Sequence, residues 1–497
     1  MTAHILVIDE GTTGTRALVI DDQSRVASQS YREFTQHHPA ADRVEHDANE
    51  IWDATVACIN DAIAAADVAP GSLAAVGITN QRATTVVWDR ATGEPITNAI
   101  VWQDTRTARR VDELAPEWGA KVYARTGWAL APVYSALSLE WILDNVDGAR
   151  ARAEAGELAF GTIDSWLIHR LTSGRVHAIS ASNASVTGSY DLRADDWYGE
   201  WLDHLRVPRS MLPEVRDDSG DFGTTDPAVF GAEIPIASAV ADQHAALFAQ
   251  HCLEPGTVKC THGTGTFLDM TVGSELVTST RGINAIIAWR RNGETTYGLE
   301  GYAASTGAAV QWLRDGAKLI DDAASTSALA QSVEDNGGVY FVPALTGLSA
   351  PDWDSFARGT IVGISPGTQR EHLVRACLEG IVYSIRDFAE TMAEDAGLPI
   401  QSMRVDGGAS RNDFLVQFQA DVLGCEVVRP ANTEATSLGA AYLAGLGVGV
   451  WAEPEDCFAT LADDEVFSPQ LGAEDREEAY RWWRRAVDRS RGWAAGA

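Results

Sequence analysis

Apolar and polar positions along this chain fall into two patterns: short β-branched runs, and longer stretches with apolar residues at helical spacing. Residues 4–21 hold two such runs, 5–8 and 17–20, around the polar segment Asp9-Glu10-Gly11-Thr12-Thr13-Gly14-Thr15-Arg16. That pattern predicts two strands joined by a tight turn. A helix is expected over about 49–66, with Ile51, Ala54, Ile59 and Ile63 on one face, and strands over 73–78, 85–88 and 100–102. An alanine-rich helical region follows to about residue 156. Residues 160–171 read as a turn and helix start, with Asp164 as N-cap or hydroxyl acceptor, and 182–185 as a polar turn. Residues 234–248 read as a strand and an alanine-rich helix, with Asp242 at the junction.

The second half repeats the opening theme. A strand leads into Thr261-His262-Gly263-Thr264-Gly265-Thr266, and a second strand runs over 267–272. Residues 301–313 read as loop then helix, 372–393 as a strong amphipathic helix, and 405–412 as a third strand with a glycine-rich turn. Helices are expected over 414–423, 436–445 and 476–493, the last beyond an acidic segment that starts near Pro454. A recurring strand–turn–strand unit predicts two similar domains facing one cleft. Glycines let backbone amides turn toward an anion, threonine hydroxyls add donors, and Asp9 at a strand end could hold a metal over a phosphate. The first turn taken alone reads equally as a surface hairpin. It is not a Walker loop, since no Gly-Lys-Ser/Thr follows. Asp242 by position alone reads as a helix N-cap. Polar residues at strand ends, such as 79–82, are where α/β proteins place ligands.

Length and charge narrow the class. A chain of 497 residues, 45% hydrophobic and 22% charged, is expected to form two or more globular domains. It shows no membrane-length apolar run and no basic-then-apolar leader. Six scattered cysteines without a CxxC read as reduced thiols of a cytoplasmic protein. Asp and Glu total 70 against 38 Lys and Arg, a formal net charge of -32. The lysines are Lys121, Lys259 and Lys318. This balance argues against nucleic-acid or anionic-membrane partners. It fits a salt-adapted interior; a coding bias toward arginine would explain the missing lysine but not the acidic excess.

The segments DEGTTGTRALVID, GITNQR, NAIVWQDTRT, FGTIDSWLI, ADQHAALF, GTGTFL, VPALTGLSAPDWD, RVDGGASRN and SLGAAYLAG, taken in order, resemble the FGGY carbohydrate kinases, and within them the glycerol kinase branch. The resemblance spans essentially the whole chain. It implies an α/β fold of two duplicated actin-like (ribonuclease H-like) domains around a central cleft. Residues 1–248 would bind polyol and phosphate, and 249–497 would bind ATP. It further implies transfer of the γ-phosphoryl group of Mg2+-bound ATP to a primary hydroxyl, with glycerol as acceptor, in a homo-oligomer (dimer or tetramer).

Carried over position by position, Asp242 would be the general base. Arg82, Ala83, Trp102, Tyr134, Asp242, Gln243 and Phe267 would line the acceptor pocket. Thr12, Thr13, Gly14 and Arg16, with Thr264, Gly307, Gln311, Gly408 and Asn412, would hold ATP, and Asp9 and Asp242 the metal. An actin- or chaperone-like binding module is the alternative class; polyol-dependent ADP formation separates the two.

Several positions depart from the branch. Ala83 stands where a glutamate follows the arginine, Val133 replaces a pocket tyrosine with Tyr134 adjacent, and Ser138 replaces a lysine. The Gly-Gly-Thr-Arg stretch that binds a sugar bisphosphate regulator in some members reads Phe230-Gly231-Ala232-Glu233, so that regulation is expected to be absent. The lost pocket groups leave two expectations: glycerol with a raised KM, or a longer polyol or ketose such as erythritol, threitol or xylitol. Tyr134 could refill the gap and favour glycerol.

Overall fold

The computed structural model describes residues 2–303, 305–432, 434–458 and 464–495. Residues 459–463 of the acidic segment lie outside the described residues. Two main sheets organise the chain.

The first sheet comprises β1 (His4–Glu10), β2 (Gly14–Asp21), β3 (Val26–Glu33), β4 (Leu73–Asn80) and β5 (Ile236–Ala241), in the spatial order β5-β4-β1-β2-β3. β1, β2 and β3 pair antiparallel, while β4 and β5 add in parallel. The second sheet comprises β6 (Thr257–His262), β7 (Thr266–Gly273), β8 (Asn284–Arg291), β9 (Glu294–Ala303), β10 (Ser402–Asp406), β11 (Glu426–Arg429) and β12 (Glu465–Phe467). Its order is β8-β9-β7-β6-β10-β11-β12. From β9 to β11 it repeats the first sheet: three antiparallel strands, then two in parallel. The two Gly/Thr turns occupy the same place in both, between the first two strands.

Period-2 alternation decides what each face buries. Leu6, Ile8, Ala17 and Val19 pack under α1 (Ala48–Ala66), through Ile51 and Ile59. Ile5, Val7, Leu18 and Ile20 face the other way, with α4 (Asp242–Ala249) and α8 (Ala435–Val448). Thus α8, from the end of the chain, closes the face of the first sheet. Its Gly439 lies against the Ala245 carbonyl of α4, where a Cβ would come within 2.0 Å of the oxygen. In the second sheet, Val258, Cys260, Leu268, Met270 and Leu299 pack with α6 (Arg370–Ala396) and α7 (Asp413–Leu423), and α9 (Ala473–Ser490) adds Trp483.

Some local expectations change. Residues 181–185 are not a turn but a short helix, α3 (Ala181–Ser185), wholly buried. Its Asn183 exchanges amide hydrogen bonds with Asn80, both 3.0 Å, so burial is compensated. Thr162, not Asp164, is the N-cap residue of α2 (Ile163–Leu171); Asp164 is buried and accepts from Thr162 and from Ser180 N. Residues 301–303 continue strand β9 rather than starting a loop, and α5 (Gly307–Gln311) follows. All six cysteines are free.

A net charge of -32 makes the folded chain repel itself at low ionic strength. Salt at 1 M shortens the Debye length to about 3 Å and removes that repulsion, while weakening the exposed ion pairs less, since each contributes little. The melting temperature is therefore expected to rise from low to molar salt. A flat or falling curve in scanning calorimetry would contradict this.

Candidate active site

Asp242 sits where buried β5 meets α4, and Ala241 rather than Asp242 is the N-cap residue. Its Oδ1 accepts from Gln243 N at 2.7 Å and lies 3.6 Å from Arg82 Nε. Burial raises the carboxyl's pKa, Arg82 and the Gln243 amide pull it back, and the charge of Asp9 adds to the rise. Asp9 and Asp242 are two carboxylates, and a magnesium ion held mainly by phosphate oxygens needs one or two from the protein.

Asp9 is the second-last residue of β1 and is buried. Its Oδ2 accepts from Arg16 Nη2 and from Ser437 Oγ on α8, both at 2.6 Å. Arg16 also binds Glu434 at 2.6 Å, so both ends of this guanidinium rest on carboxylates. Thr13 is exposed at the turn, and Thr12 Oγ1 accepts from the Trp102 indole at 3.0 Å. Gly14 serves packing: a Cβ there would lie 2.5 Å from the Arg32 carbonyl of β3.

On the second sheet, Gly307 N donates to the Gly263 carbonyl and Ala308 N to that of Thr264, at 3.1 and 3.0 Å, tying α5 to the turn. Gly307, Gln311, Gly408 and Asn412 line one cavity of about 690 Å³, with Arg314 and Arg411 at its wall. Asn412 is also the N-cap of α7, accepting from Leu415 N at 3.1 Å and donating to Thr326 at 3.0 Å.

Around Asp242 the structure gathers groups that the sequence reading missed. Arg82 forms a two-armed ion pair with Glu300 of β9, and Nη2 to Oε1 measures 3.2 Å. Burial pushes Glu300 upward, Arg82 pulls it back, and Asp269 adds to the rise. Lys259, fully buried, donates to Asp269 and to Gln243 Oε1, both at 2.7 Å. A lysine inside the strand TVKCTH, in a chain with three, was the available signal.

Ala83 is buried at φ +59°, with its carbonyl held by Ser135 Oγ at 2.9 Å. Tyr134 is buried edge-on to Trp128, 5.3 Å between ring centroids, and Val133 packs in the same apolar cluster. Burial raises the Tyr134 phenol's pKa, with Glu300 adding and Arg82 opposing. The Phe267 and Tyr302 rings stand 4.7 Å apart.

The family model for the N-terminal domain of the FGGY carbohydrate kinases matches residues 4–249, and that for the C-terminal domain matches 258–448. The chain is 50% identical to glycerol kinase 2 of Thermotoga maritima over 491 residues, 99% of each chain. It is 49% identical to the glycerol kinase of Petrotoga mobilis over 495 residues, again 99% of each. Among solved structures, Plasmodium falciparum glycerol kinase with ADP superposes with a TM-score of 0.95 at 32% identity, over 98% of each chain. With both family models matched and relatives half identical along nearly its whole length, the chain belongs to the FGGY family of carbohydrate kinases.

Proposed function

We propose that the protein is an ATP-dependent glycerol kinase, forming glycerol 3-phosphate and ADP. The observation that carries this reading is the cluster of Asp242, Arg82 and Gln243, in a chain half identical to glycerol kinases. Arg82 and Gln243 supply donors for the hydroxyls, and Asp242 is the acceptor. The substrate oxygen attacks the γ-phosphorus, the bond to the β-phosphate oxygen breaks, and Asp242 takes the hydroxyl proton. Trp102 and Phe267 supply aromatic faces for the carbon chain.

The cavity at Gly307, Gln311 and Gly408 takes the adenosine of ATP, and the turns at Thr12–Thr13 and Thr264 its phosphates. Asp9 and Asp242 would hold the magnesium ion, which neutralises phosphate charge when bound. No helix among the described residues is long and apolar enough to cross a membrane.

A four- or five-carbon polyol is the second reading, and Ala83 with Val133 is the observation behind it. Tyr134, buried in an apolar cluster with Val133 packed against it, supports glycerol. ADP formation measured over glycerol, erythritol, threitol, xylitol and dihydroxyacetone tests this. Glycerol is expected to give the highest kcat/KM, and Ala83→Glu to change it less than about tenfold, below the full value of a charged hydrogen bond. A higher kcat/KM for a longer polyol would replace glycerol as the acceptor.

A further inference from the structure

Strand register places three charged residues on one rung of the second sheet. Lys259 of β6 pairs with Asp269 of β7, and Asp269 with Glu300 of β9. Their sequence neighbours Val258, Cys260, Leu268, Met270 and Leu299 face the apolar core, so alternation turns the rung to the opposite side. That side meets the first domain. All three are at most 4% exposed, and burying three charges is costly unless each is matched.

Lys259 and Asp269 match each other within the rung, and the charge of Glu300 is matched from the first domain. Glu300 grips Arg82 with both carboxylate oxygens, and Lys259 reaches Gln243 Oε1. An ammonium group can only donate. The contact therefore assigns that atom as the amide oxygen and leaves the Gln243 NH2 for another partner. Arg82 is likewise turned so that its Nε edge faces Asp242.

We propose that the buried rung Lys259–Asp269–Glu300 is the positioning element of the acceptor pocket. It fixes Arg82 and Gln243 as hydroxyl donors beside Asp242 from the opposite domain. The inference rests on the glycerol kinase reading above and adds three residues that touch neither substrate in it. Because the rung belongs to the second domain and its clients to the first, the pocket is complete only when the two domains are docked.

A double-mutant cycle on the full-length protein tests this. Glycerol and ATP are varied separately for the parent, Glu300→Gln, Arg82→Ala and the double variant, with melting temperatures as a check of folding. Glu300→Gln is expected to lower kcat/KM for glycerol on the order of tenfold to a hundredfold, mainly through KM, while KM for ATP stays within about twofold. In the Arg82→Ala background the same change is expected to have little further effect, since Glu300 acts through Arg82.

Independent, additive losses would overturn the proposal, as would an unchanged glycerol KM in a folded Glu300→Gln protein. Should Glu300→Gln not fold, Glu300→Asp, which keeps the charge but shortens its reach, enters the same cycle with the same criteria. A parent without glycerol-dependent ADP formation would refute the functional reading instead. The cycle is then read on whichever polyol of the panel the parent turns over.

Discussion

Asp242→Asn is expected to lower turnover by a factor on the order of 10²–10⁴. The substitution keeps the shape of the side chain and its place at the start of α4, but removes the proton acceptor. Arg82 stays anchored because its two-armed partner is Glu300, with Asp242 at a longer 3.6 Å. ATP affinity is expected to survive, since the 690 Å³ cavity is lined by residues of the second half.

A second signature is pH dependence. Burial raises the Asp242 pKa above that of a free aspartate, with Arg82 opposing, so the base is ionised, and active, only above that raised point. The acid limb of kcat/KM should lie there in the parent and vanish in the variant. Steady-state kinetics over pH, with calorimetric titration of ADP, provide the check. Near-normal turnover in Asp242→Asn would remove the residue from the base role.

Gly439→Val should destabilise the fold by about 3 kcal/mol or more, the upper end of overpacking costs. The added Cβ would meet the Ala245 oxygen at 2.0 Å and its carbonyl carbon at 2.5 Å, and backbone cannot rotate away as a side chain can. The two helices must separate. One of them begins with Asp242 and the other carries Ser437, which holds Asp9, so activity should fall with stability. Gly199→Ala is the control. Its added Cβ meets nothing within 4 Å, and the change should stay within about 0.5 kcal/mol. Equal denaturation midpoints for the two variants would show that the α4–α8 contact is not tight.

The candidate site was legible where its chemistry is local. The Gly/Thr turns, Asp9 near a strand end and Asp242 at a strand-to-helix junction are read from a few consecutive residues, and the structure has the turns between matching strand pairs and Asp242 directly after β5. Asn412 shows the limit of reading by position. It lines the cavity, and its side chain also caps α7, a task decided by where the helix begins. Residues 182–185 are mostly polar and look like a turn. They lie in a buried helix capped by Ser180, where Asn80, 103 residues away, satisfies the Asn183 side chain.

The sequence by itself determined the two-fold repetition of the strand–turn–strand unit and most of the longer elements of each half. Both follow from periodicity and local residue chemistry. Tertiary structure alone decided which charges meet. Arg82 and Glu300 are 218 residues apart, and Arg16 and Glu434 are 418 apart. Their pairing depends on sheet register and on α8 returning to cover the first sheet. The physical reason is that a strand's alternation states which residues share a face, while the partner of that face is set by how the sheets and helices dock. The charged rung of β6, β7 and β9 is therefore visible in the sequence as misplaced polar residues, and becomes a site only against the opposite domain.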